Sequence, residues 1–140
     1  HAFGNCIPTI DSVFNGNSLT TANLQFEDGA TGQITSNYAS VAPHHHKVSV
    51  YGTRGTFEQS HLGAAYFHSR DSDHSPERVD SAYPGTRKGD LLCNFVDSIL
   101  GEAEPIITKE EVLGAMSVSL AIDKSIQTRQ VEEVAYPLFK

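Results

Sequence analysis

The sequence lacks several features that would assign it to a class at once. No run of 18 apolar residues occurs in its 140 residues, so hydropathy predicts no membrane-spanning helix and no membrane partner. Positive charge is scarce, with 10 Lys and Arg against 17 Asp and Glu for a formal charge of −7. Such a surface repels nucleic acid and anionic lipid, which argues against either as the main partner. The two cysteines, Cys6 and Cys93, have no ligand-like spacing; a disulfide framework is not expected, and a cytoplasmic location is preferred. No secretory leader pattern follows His1, and the chain reads as one piece of a longer protein. Gly-x-Gly-x-x-Gly is absent, so the chain lacks the turn that brings a backbone against a pyrophosphate. What remains is 39% apolar and 19% charged, the composition of an ordinary globular protein long enough to close one core.

The first half alternates with the period of strands. Over residues 21–28, Ala22, Leu24 and Phe26 face one way and Asn23, Gln25 and Glu27 the other, which predicts a strand with one covered face. Asp28-Gly29 then supplies a turn, and residues 31–38 return as the second strand of a hairpin. A second hairpin is expected from 47–51 to 56–59, with Val48, Val50 and Phe57 inward and Gly52-Thr53-Arg54-Gly55 as its turn. Residues 64–69 suggest a further strand and residues 7–14 an edge strand interrupted by Pro8. The polar stretch 69–85 reads as a surface loop, which accounts for the nearness of Asp71, Asp73 and His74.

After Thr86 the period lengthens. Leu91, Leu92, Phe95, Val96, Ile99 and Leu100 form a helical apolar stripe that Gly101 ends. Thr108 and Glu111 carry a capping-box signature ahead of a helix running to about Gln127. Val112, Leu113, Met116, Leu120, Ile122 and Ile126 surround most of that helix, which predicts cover on more than one side, with Met116 filling gaps in the core. Cys93 is expected as core filler, and residues 131–136 as a last short strand. The expected fold is α+β: a mainly antiparallel sheet with two helices on one face, in one domain over 1–140. The other face carries Asn23, Gln25, Gln33, Thr35, Ser49 and Tyr51, polar but mostly uncharged. It suits either a wet contact between copies of the chain or plain solvation.

Three segments, TANLQFEDGATGQITSNY, VSVYGTRGTF and PIITKEEVLGAMSVSLAIDKSIQTRQV, resemble in order and spacing the C-terminal domain of the Gfo/Idh/MocA oxidoreductases. The resemblance covers about residues 20–134 and departs at Thr128-Arg129, where many members carry glycine. It implies a parent enzyme with NAD or NADP in an N-terminal Rossmann domain outside this chain, acting on a sugar, cyclitol or related polyol. It also implies that the present domain walls the substrate pocket and builds a homo-oligomer through its sheet. The family's Glu-Lys-Pro and Asp-x-x-x-His elements are missing, so no catalytic or cofactor-binding residue is assigned and the chain alone is expected to be inactive. The alternative is a self-contained α+β module that binds a small ligand between sheet and helices. A free-standing module would bury its second helix, whereas a piece of a larger enzyme would leave one side of that helix for a partner.

Tyr66, His68, Tyr83 and Arg87 are the candidates for the pocket wall. Their hydroxyl, imidazole and guanidinium groups suit a polyol, and they flank the long loop. His44-His45-His46 invites a metal, but neighbouring residues on a strand point to opposite faces, so at most two of the three can share an ion. The start of a solvated strand is the simpler account, and no metal site is assigned.

Overall fold

The computed structural model describes residues 1–8, 17–42, 45–80 and 89–137. They contain seven strands and two helices, the α+β class that the patterns predict. The strands form two antiparallel ladders rather than one, and the chain divides into two compact units. Residues 1–40 and 94–140 make the first unit and residues 41–93 the second.

In the first unit, β1 (Ala2–Pro8), β2 (Asn17–Gln25) and β3 (Thr31–Asn37) pair in that order, with β2 in the middle. The predicted 21–38 hairpin is present. Its turn is held by Phe26 N–H donating to Ala30 O at 2.9 Å and by Ala30 N–H donating to Asp28 Oδ1 at 3.0 Å. The first strand departs from expectation. It begins at Ala2 rather than Ile7 and runs to Pro8; the rest of the predicted 7–14 strand lies outside the described residues. The predicted last strand contracts to a single bridge, in which Ala2 and Glu132 exchange backbone hydrogen bonds of 2.7 and 2.9 Å.

Helix α1 (Asp90–Leu100) ends as predicted. Gly101 takes φ 76° while Gly101 and Glu102 N–H donate back to Ser98 O and Asp97 O, the 5→2 and 6→1 pairing of a Schellman end. Its apolar side chains are not covered; Leu92 and Ile99 are 66% and 67% exposed, and Cys93 is exposed rather than core filler.

Helix α2 (Lys109–Thr128) starts at the predicted capping box. Glu111 N–H donates to Thr108 Oγ1 while Thr108 N–H and Oγ1–H donate to Glu111 Oε2. It ends at Arg129, whose φ 56° and ψ 31° are left-handed. Arginine thus stands, with its Cβ crowded, in a backbone conformation that glycine adopts freely. This is the place where the sequence departs from the family pattern.

The face that α2 buries is made of small residues. Ser117, Ala121 and Ser125 lie four apart on one side of the helix, and all three are buried. Across from them Ala2, Gly4 and Ala22 are buried on the sheet, with Gly4 paired to Ala22. A Cβ on Gly4 would stand 2.9 Å from Ile122 Cγ2 and 3.1 Å from Ile122 O, so the helix approaches as closely as a bare backbone allows. Ser125 seals the contact. Its hydroxyl accepts from Gly4 N–H at 3.0 Å and donates to Gln130 O at 2.6 Å, which satisfies polar groups removed from water. On the opposite side Val112, Met116 and Leu120 are 46%, 53% and 67% exposed. The apolar circumference therefore does not mean burial all round, and Met116 is not a core residue.

The second unit is a four-stranded meander of β4 (Val48–Tyr51), β5 (Thr56–Ser60), β6 (Gly63–Phe67) and β7 (Glu77–Val79). The predicted second hairpin is present, closed by Gly52 N–H donating to Gly55 O at 2.9 Å. Strand β7 falls inside the stretch expected as loop. Its three residues pair with β6, leaving a shorter polar excursion between them.

Candidate functional site

The meander brings two of the four candidate wall residues together. Ser60 Oγ accepts from Leu62 N–H and starts the turn into β6. At the far end Ser69 Oγ accepts from Asp71 N–H and Asp71 Oδ1 from Asp73 N–H, short polar turns that send the chain back as β7. Asp71 and Asp73 thus act on the backbone of their own loop. Register then sets the neighbours: Tyr66 lies opposite Phe57 on one side and Glu77 on the other. His68 follows directly after the end of β6, two residues beyond Tyr66.

The side chains meet accordingly. The Phe57 and Tyr66 rings are 4.9 Å apart and tilted, and the Tyr66 and His68 rings are 6.1 Å apart and nearly parallel at 21°. His68 Nε2 lies 3.0 Å from Glu77 Oε2. The His68 and Glu77 side chains are 52% and 67% exposed, so the pair contributes little to stability. Its chemical capacity is clear: an aromatic surface for the apolar side of a ring, and imidazole, phenol and carboxylate groups for hydroxyls. Tyr83 and Arg87 lie outside the described residues.

Glu77 was not among the residues singled out from sequence. The stretch around it is rich in Ser, Asp and Pro, and the only available signal was the short run Glu77-Arg78-Val79 behind Pro76.

Other features place themselves differently. Of the three consecutive histidines, His44 is outside the described residues, and the His45 ring meets His61 edge-on at 5.2 Å. Among the described residues no three His, Cys, Asp or Glu side chains converge as a metal site. The glycine pairs do not fit a dinucleotide. Gly52 and Gly55 close a hairpin, and Gly29 and Gly32 flank another; neither pair opens a helix whose amides face a pyrophosphate. No helix among the described residues is long and apolar enough to cross a membrane.

The residues expected on one polar sheet face fall in two separate ladders. Asn23, Gln25, Gln33 and Thr35 are exposed, and Gln33 Nε2 donates across the ladder to Asn23 Oδ1 at 3.3 Å. In the second unit Tyr51 OH donates to Glu58 Oε1 at 3.3 Å. A groove of about 560 Å³ runs beside the uncovered edge of α2, lined by Ile106, Ile107, Val112, Ala115 and Met116.

Solved structures share this fold. An oxidoreductase from Thermotoga maritima aligns with a TM-score of 0.74 at 17% identity, over 94% of this chain and 39% of its own. The UDP-N-acetylglucosamine 3-dehydrogenase GnnA from Acidithiobacillus ferrooxidans aligns at 0.71 and 11% identity, over 91% of this chain and 40% of its own. The WlbA dehydrogenase from Bordetella pertussis, solved with NADH and UDP-GlcNAcA, aligns at 0.62 and 17% identity, over 99% and 40%. The chain thus spans about two-fifths of the length of these structures. No curated protein matches it. The family described as "Oxidoreductase family, C-terminal alpha/beta domain" matches residues 13–135. With that match over most of its length and a fold shared with these oxidoreductases, the chain belongs to the Gfo/Idh/MocA family and is its C-terminal domain.

Proposed function

We propose that this chain is the substrate-binding and oligomerisation domain of an NAD- or NADP-dependent oxidoreductase acting on a sugar, cyclitol or related polyol. The reading that these 140 residues form one functional domain belongs to the same proposal. The cofactor is assigned to an N-terminal Rossmann domain of the complete protein, because the glycine pairs here close hairpins instead of opening helices. The observation that carries the substrate role is the Tyr66–His68–Glu77 face, an aromatic platform edged by hydroxyl-binding groups. Tyr83 and Arg87 are assigned to the same wall by their place in the sequence. The names of two proteins with this fold, a UDP-N-acetylglucosamine dehydrogenase and an enzyme solved with UDP-GlcNAcA, agree with a sugar derivative as substrate.

The uncovered edge of α2 favours this reading over a self-contained binding module. Val112, Met116 and Leu120 stand exposed, as expected where another part of a larger protein supplies cover. The exposed amide and hydroxyl groups of Asn23, Gln25, Gln33 and Thr35 suit a hydrated contact between two copies. A cytoplasmic enzyme is the corresponding location.

The test is steady-state kinetics of the complete protein with UDP-N-acetylglucosamine and myo-inositol as probes for a nucleotide sugar and a cyclitol. With the probe that supports NAD(P)⁺ reduction, His68→Ala is expected to raise its KM about tenfold, roughly the loss of one hydrogen bond, leaving the KM for NAD(P)⁺ unchanged. An unchanged KM for the polyol in His68→Ala and Tyr66→Phe overturns the assignment of this face.

A further inference from the structure

The environment of His68 is unequal around its ring. On one side Nε2 is held 3.0 Å from Glu77 Oε2. A carboxylate can only accept, so the shared proton sits on Nε2. One face of the ring lies against Tyr66 at 6.1 Å. The other nitrogen is turned toward Gly55, where a hypothetical Cβ would come within 3.8 Å of Nδ1. Nδ1 makes no hydrogen bond among the described residues. Strand register brings Glu77 beside Tyr66, next to the end of β6 where His68 follows. His68 is the first residue after β6, and its ring stacks on Tyr66 while its Nε2 reaches Glu77.

We propose that Glu77 is a positioning residue that fixes His68 as the Nε2–H tautomer and reserves Nδ1 as an acceptor for a ligand hydroxyl. The proposal deepens the assignment of this face as a substrate wall and rests on it for the identity of the donor. An acceptor-only nitrogen beside an aromatic surface selects a hydroxylated ring by its O–H. A ligand presenting only acceptors, such as a carboxylate or an ether, would leave Nδ1 unpaired and bind more weakly. A side chain at Gly55 would crowd Phe67 O at 3.1 Å and stand 3.8 Å from Nδ1, narrowing the approach to that nitrogen.

The experiment has two independent readouts on the complete protein. Nitrogen NMR of histidine-labelled protein, with His68 assigned by its loss in His68→Ala, reads the tautomer directly at a pH where the ring is neutral. The native protein should show a protonated Nε2 and a bare Nδ1, and Glu77→Ala should move both nitrogens toward the averaged values of a ring exchanging tautomers. In kinetics, Glu77→Ala should raise the KM for the sugar or cyclitol severalfold with little change in kcat, and His68→Ala/Glu77→Ala should be no worse than His68→Ala alone. A native ring that already averages its tautomers overturns the positioning role whatever the kinetics. A normal KM in Glu77→Ala alongside a raised KM in His68→Ala also overturns it, while leaving the substrate wall intact. An unchanged KM in His68→Ala overturns the wall itself and with it the hydroxyl contact.

Discussion

The two units of the chain differ in what they bury. Every buried residue among those described belongs to the first: Ala2, Gly4, Ser18, Ala22, Ser117, Ala121 and Ser125. The second has none among the described residues, and Tyr66 and Glu77 on its strands, with His68 just past β6, are open to solvent. In the first a helix is clamped to a strand through small residues, and in the second a meander short of burial displays the groups proposed to bind substrate. Substitutions in the first unit should therefore be read as changes in stability, and those in the second as changes in binding.

The sharpest way to break this contrast is to overfill the contact between α2 and β1. Gly4→Val is expected to cost about 1–3 kcal/mol, the range for overpacking a close contact, because Ile122 side-chain and backbone atoms already stand within 3.1 Å of the missing Cβ. Ser125→Ala should cost a comparable amount, about 1–3 kcal/mol, by leaving Gly4 N–H buried without a partner. Thermal unfolding followed at the helical signal measures both. His68→Ala serves as the comparison in the second unit and should change stability by less than about 0.5 kcal/mol.

A smaller effect of opposite sign is expected at the other end of α2. Arg129→Gly removes a left-handed non-glycine residue at a cap, so it should stabilise the chain by roughly 0.5–1 kcal/mol after the added unfolded-state entropy of glycine is subtracted. A loss of stability would mean that the arginine side chain contributes more than its backbone costs.

Acid gives the weakest lever and also acts on the first unit. The Thr108 backbone N–H and then its hydroxyl hold the Glu111 carboxyl below its ordinary value of 4.5. Lys124, at 2.6 Å, and Thr128 lower that of Glu132 in the same way. Lowered folded-state values stabilise the native chain above pH 4.5, and that contribution is lost as pH falls below 4.5 through the folded values. Glu111→Gln with Glu132→Gln should flatten the fall in melting temperature over that acid range and leave its slope near neutrality unchanged.

The same contrast explains what the sequence made legible. Local signals were sufficient for the two hairpins, for α1 with its Gly101 end, and for the Thr108–Glu111 cap, because each is written in neighbouring residues. Long-range choices were hidden. Ala2 and Gly4 are buried because α2 needs a bare surface, so β1 shows no run of large apolar residues to mark where it begins. Likewise Ser117 and Ser125 look like gaps in the apolar stripe of α2, yet they lie on the packed face while Met116 and Leu120 stay outside. At the site, Tyr66 and His68 were readable as residue types that bind hydroxyls. Glu77 was not, since only the pairing of β6 with β7 brings it to them.

The most direct test of the division is hydrogen exchange on the complete protein, with and without the sugar or cyclitol that supports its turnover. The account predicts ligand-dependent protection in β6 and β7 around residues 64–68 and 77–79, with exchange in β2 and α2 unchanged. Protection confined to β2 and α2, with β6 and β7 exchanging as before, would contradict it.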